Sequence, residues 1–216
     1  MKMFKHRFPS LLLLAGMGLA PTADANLVDV VYGVYDTDLH ITWLKNANTN
    51  GKMTWAEANA WAASLTDGGF NDWRLPTTLQ PDPSCANQGG GISSGLNCTG
   101  SELGNMFYGD INHGLGGTAN QNIASVHNAN YDLFTNIQHG TTAVSDVYWS
   151  GTPAPSADVV FDFYTSIGSQ ASDWVGENFY GWAVRSDVAA VPEPGVTGLL
   201  GIGALAWAGT RQKRRG

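Results

Sequence analysis

The chain has 216 residues, enough for one ordinary domain and too few for two with separate cores. Its basic residues crowd the ends, so that residues 26–190 hold only Lys45, Lys52, Arg74 and Arg185 against sixteen acids, a formal charge of −12. A body with that field repels phosphates, which excludes a nucleic-acid partner. Seven of the eight tryptophans fall in the same stretch, which excludes a disordered chain.

Lys2, Lys5, His6 and Arg7 precede the apolar run Leu11 to Leu19, and Ala23-Asp24-Ala25 follows it. That order predicts a secretory signal peptide over residues 1–25, cut between Ala25 and Asn26. The domain expected over 26–190 begins with strands at Val28 to Tyr35 and Leu39 to Leu44, joined by the turn residues Asp36-Thr37-Asp38.

The next window fits two templates. Asn46, Asn48, Asn50, the Lys52 carbonyl, Thr54 and Glu57 occupy the ligand positions of a twelve-residue calcium loop, with Gly51 at its turn. Thr54 and Glu57 also form a capping box. On that reading an Asn-Gly turn feeds a helix whose apolar face is Ala58, Trp61, Ala62 and Leu65, ended by Gly68-Gly69. Calcium is the one cofactor indicated.

In Asp72-Trp73-Arg74-Leu75-Pro76-Thr77, alternation puts Trp73 and Leu75 inward. It leaves Arg74 to pair with an acid, near Asp72 or at Glu102, and Pro76 stops the strand. The Gly-, Ser-, Asn- and Pro-rich stretch 77–100 holds the two cysteines, Cys85 and Cys98. In an exported protein they are expected to form a structural disulfide worth roughly 3 kcal/mol in the chain-entropy model. Ser101 is the expected N-cap of a second helix reaching Tyr108, with Leu103, Met106 and Phe107 inward. Further strands are expected at Asp146 to Ser150, Asp158 to Tyr164 and Tyr180 to Arg185, giving an α+β domain richer in strand than helix.

Gly195 to Thr210 carries no charge and is followed by Arg211, Lys213, Arg214 and Arg215. A helix of that length reaches roughly 24 Å, a marginal membrane span held with its basic end in the cytoplasm. With Val191-Pro192-Glu193-Pro194 before it, the segment 191–216 resembles the PEP-CTERM sorting signal of Gram-negative bacteria that make exopolysaccharide. The resemblance implies export through the secretion machinery, a transient inner-membrane anchor, and recognition by an exosortase that cuts near Pro-Glu-Pro. The mature protein would then reside in the periplasm, on the outer surface or in the extracellular matrix.

A second resemblance rests on Thr42-Trp43-Leu44, Met53-Thr-Trp55-Ala-Glu-Ala58, the string Asp72 to Thr77, Glu102-Leu103, Tyr148-Trp149-Ser150-Gly151-Thr152 and Trp182-Ala-Val-Arg185. These are similar to the Lcl C-terminal domain family of bacterial surface proteins. That family implies a C-type-lectin-like mixed fold with two helices and several short antiparallel strands, related to formylglycine-generating enzymes and used in an adhesin that binds sulfated polysaccharide. Residues 78–101 stand as an insertion relative to the family. Gln80-Pro81-Asp82 and Asn71-Asp72-Trp73 echo lectin sugar-site tripeptides, but in reversed order.

His40, His113, His127 and His139 show no metal spacing, and neither a nucleophile elbow nor a phosphate loop is present. Trp43, Trp55, Trp61, Trp73, Trp149 and Trp182 are read as core, with a sugar-stacking platform among them as the alternative. The expectation is a non-enzymatic, exported surface or matrix protein associated with extracellular polysaccharide. The alternatives are a structural envelope component binding protein partners, or a glycan hydrolase built on two of the sixteen acids.

Overall fold

A computed structural model describes residues 26–140 and 146–187. The expected signal peptide with Ala23 and Ala25, the sorting residues Val191 to Pro194 and Arg211 to Arg215, and the expected span 195–210 lie outside these residues. Among the described residues no helix is long and apolar enough to cross a membrane.

The first expected strand folds back on itself. β1 (Leu27–Val30) pairs antiparallel with β2 (Gly33–Asp36), with Val30 opposite Gly33 and Val31 and Tyr32 forming the tip. Asp36 then closes the turn to β3 (Ile41–Leu44): its Oδ1 accepts the amides of Asp38 and Leu39 at 2.9 and 3.0 Å. Burial pushes the Asp36 carboxyl above the usual carboxylate range, against the pull of those two amides.

After β4 (Lys52–Met53) comes α1 (Trp55–Ser64), started by the full capping box of Thr54 and Glu57. These bonds hold the Glu57 carboxyl below its ordinary pKa. The helix stops at Leu65, whose backbone is extended, and Gly68-Gly69 belong instead to a separate 3-10 turn, Asp67–Gly69. The segment expected as loop contains a hairpin, β5 (Asn87–Gly89) and β6 (Ile92–Leu96), followed by α2 (Glu102–Tyr108). Ser101 precedes α2 without capping it: its hydroxyl oxygen accepts the Leu79 amide at 3.1 Å while its O–H donates to Gln170 at 2.6 Å. α2 packs so closely that a Cβ on Gly104 would collide with the Cys98 carbonyl.

The last third gives β7 (Val147–Pro153), β8 (Val159–Tyr164), β9 (Ser169–Trp174), β10 (Phe179–Tyr180) and β11 (Val184–Ser186). The stretch expected as one strand from Tyr180 to Arg185 is therefore divided between two sheets. One sheet runs β1-β2-β3-β11 and the other β4-β10-β7-β8-β9-β6-β5, antiparallel except for the β10–β7 pair.

Trp182 sits between β10 and β11, where the chain leaves one sheet for the other. Its ring packs 4.9 Å from Trp43, 5.0 Å from Phe134 and 5.6 Å from Tyr148, and its indole N–H donates to the Leu44 carbonyl at 2.8 Å. Trp149 likewise donates to the Met53 carbonyl and packs against Phe179. Large rings whose one polar atom is satisfied can be buried whole. Trp43, Trp73, Trp149 and Trp182 are buried, whereas Trp55 and Trp61 pack half-buried at the edge of the core.

The Trp43 indole N–H, buried without a partner, departs from this pattern, and Asp162 departs from it furthest. Asp162 on β8 is 1% exposed, and neither of its carboxyl oxygens has a hydrogen-bond partner. Burial first, and then the charge of Asp173 on β9, push it up to about 9. Its folded-state pKa thus exceeds the unfolded value of about 3.9. The stability this group contributes is complete below that unfolded value and is lost as pH rises toward 9. Asp162→Asn should therefore gain on the wild type by up to about 1.4 kcal/mol per pH unit across that window. Urea denaturation at acid and mildly alkaline pH checks this; a constant difference between the two proteins would contradict it.

Candidate functional site

The Asp72 to Thr77 string is a spine with a single β-bridge, between Arg74 and Val184. Arg74 grips Glu102 at the start of α2 through two bonds of 2.8 Å, and Glu102 also accepts the Thr77 amide at 2.6 Å. Asp72 takes the other arginine, Arg185, at 2.9 Å. Arg185 is additionally paired with Asp187 and stacked 3.6 Å over the Phe70 ring. The Pro76 carbonyl accepts from the Ser150 hydroxyl and the Gly151 amide, which ties the spine to β7. These residues hold α2, β7 and β11 together, and their donors and acceptors are spent on one another.

Beyond the spine, the insertion builds a concave feature. Cys85 and Cys98 are bonded across the base of the β5–β6 hairpin. Ser93 on β6 bonds both ends of the Gln80 side chain, and its hydroxyl accepts the Asp82 amide and donates to Gln88. Gln170, buried on β9, donates to the Ser93 carbonyl at 2.9 Å and accepts from Ser101. Asp82 is spent on Ser84 and Gly100. Gln80 and Asp82 thus serve the loop, as the reversed order of their tripeptide implied.

β6 meets β9 only at Gly95–Gln170 and Leu96–Ser169, and then diverges from it. The gap is a cleft of about 810 Å³, with Asn87, Gln88, Ile92 and Ser94 on the hairpin side and Gln170 and Ser172 on the β9 side. No charged residue lines it.

Trp174 ends β9, two residues past Ser172 and on the same face, about 7 Å further along the strand. It is 59% exposed, while every other described tryptophan is buried or half-buried. The ring lies on Gly176 so tightly that a Cβ there would collide with it, and the Glu177 amide donates to the Trp174 carbonyl at 3.0 Å. A flat aromatic face is therefore held open to solvent beside an uncharged polar cleft. Sequence reading missed Trp174; the cue available was its place in Ser-Gln-Ala-Ser-Asp-Trp, where the polar neighbours leave no apolar stripe to bury it.

Other expected site residues do not converge. Asn46 Oδ1 accepts the Asn48 amide and the Asn136 side chain, Asn48 Oδ1 accepts the Gly51 amide, and Glu57 is held by Thr54. Lys52 lies 5.4 Å over the Tyr180 ring. The window from Asn46 to Glu57 is a turn feeding a capped helix, in which the side-chain oxygens of Asn46, Asn48 and Glu57 accept internal hydrogen bonds. Among the described residues one cluster has metal-type side chains in mutual reach, Asp82 with Cys85 and Cys98, and its two sulfurs are bonded to each other. His127 stacks on Tyr131 at 4.2 Å, while His40 bonds Tyr35 and His113 faces Asp110. Asp162 and Asp173 are two acids that do meet, but Asp162 is closed to solvent.

Removing one partner of the Arg74–Glu102 pair strands the other beneath a partly buried surface. Glu102→Ala should cost about 2 kcal/mol in urea denaturation, and pairing it with Arg74→Met should recover part of that loss. Additive losses in the double variant would show that the two side chains act independently.

Neither a curated protein nor a solved structure matches the chain. Residues 190–215 match the PEP-CTERM protein-sorting motif, which marks the chain as an exported protein of the kind sorted by exosortase.

Proposed function

We propose that this is a non-enzymatic cargo of the PEP-CTERM route whose folded body associates with extracellular polysaccharide at the cell surface or in the matrix. The observation that carries the reading is Trp174. An indole held open by a glycine backbone offers a pyranose ring a flat apolar face without first having to be ordered. The motif at 190–215 supports the location, since cargo sorted this way passes through the envelope and can meet polymer there. The lectin-like ancestry drawn from the sequence motifs belongs to the same proposal, as does a passing membrane anchor at 195–210.

Trp174→Ala should weaken polysaccharide retention about tenfold, the loss of roughly 1.4 kcal/mol of contact. Gly176→Val keeps the indole but displaces the ring from its seat, and should weaken retention comparably with little change in melting temperature. Affinity electrophoresis through gels containing polysaccharide measures both, and unchanged mobility of the two variants would remove the platform from the proposal.

A further inference from the structure

We infer that the ligand of this face is an uncharged glycan chain lying lengthwise along β9, with Trp174 as one subsite and the insertion cleft as the next; this rests on the polysaccharide reading above. Charge supports it first. The described body has four basic residues, and each is engaged: Lys45 with Asp29, Lys52 over Tyr180, Arg74 with Glu102, and Arg185 with Asp72 and Asp187. A uronate or sulfate polymer would find no spare cation among them and would approach a field of −12.

The cleft supplies the matching chemistry. The side chains of Asn87, Ser94 and Ser172 have no hydrogen-bond partner among the described residues, and they face the cleft with amide and hydroxyl groups suited to sugar hydroxyls. The strand adds backbone. β9 is paired with β8 along its whole length, but its other edge is paired only at Ser169 and Gln170. From Ala171 to Trp174 that edge has no strand partner, and apart from the Trp174 carbonyl, which accepts the Glu177 amide, its outward peptide groups lie open beside the cleft. Open backbone, neutral side chains and an aromatic plate thus follow one another on the Gln170–Ser172–Trp174 face of β9, with Asp173 on the opposite face bonded to Tyr164. One wall of this path is formed by residues between Ala86 and Gly95, within the stretch 78–101 that the family resemblance marks as inserted.

The test uses the full-length protein in affinity electrophoresis with chelator present. The probes are neutral polymers (hydroxyethylcellulose, glucomannan, dextran) and anionic ones (alginate, dextran sulfate). Retention is expected on at least one neutral polymer, nearly independent of salt because no counterions are released. It should fall about tenfold in Trp174→Ala and about tenfold in Ser94→Trp, which fills the cleft. Circular dichroism confirms that both variants are folded. Salt-sensitive retention on alginate or dextran sulfate alone overturns the uncharged ligand while leaving glycan binding intact. Sensitivity to Trp174→Ala without sensitivity to Ser94→Trp overturns the lengthwise path. Absence of retention on every polymer overturns the polysaccharide reading itself.

Discussion

Trp182 joins the two sheets, and most of the architecture follows from that placement. The chain passes from the seven-stranded sheet to the four-stranded one within three residues, and the indole fills the gap opened by the crossing. Trp43 arrives from the smaller sheet, Tyr148 from the larger, and Phe134 from the long connection between α2 and β7. Because the indole N–H reaches the Leu44 carbonyl, the seam leaves no donor of that ring unmet. A domain with so little helix depends on such a plug: its two sheets make no common ladder, and side chains carry the contact between them.

Charge is distributed on a different principle. Two arginines are drawn into the body and held by acids on both sides of the spine, one at the head of α2 and one at the end of β11. Each gathers segments far apart in sequence. Apart from the buried Asp36, Asp82, Asp146 and Asp162, the remaining acids lie at the surface with few cations to answer them, which keeps it hydrated and strongly negative. On such a surface the proposed glycan contact relies on neutral groups, those of Trp174 and its neighbouring cleft.

Much of this was legible in the sequence where a local rule decided the outcome. The capping box fixed the start of α1, the Trp73–Leu75 alternation placed those side chains inward, and Glu102 was one of two acids open to Arg74. Decisions made by distant partners were not legible. Val28 to Tyr35 reads as one strand because nothing at Val31-Tyr32 has turn chemistry, and the fold-back follows from pairing with β3. β9 is Ser-Gln-Ala-Ser-Asp-Trp, with hardly a strand former in it, and becomes a strand through β8. Ser101 matched an N-cap by position but was claimed by Gln170, 69 residues away. The exposed indole was hidden for the same reason, since composition counts tryptophans without saying which one the fold leaves outside.

The two limits of the described body lie in one row. Leu27, Asp36, Ile41 and Ser186 are successive partners across the four-stranded sheet, which sets the first and last strands only about 14 Å apart at that margin. Asn26 is stitched to Thr37, and Asp187 to His40, Thr42 and Arg185. Cuts before Asn26 and after Asp187 would therefore leave every described rung of that sheet in place. Under the proposed passage through an anchor at 195–210, both flanks would leave the globule at one corner, and their removal would spare its described strands.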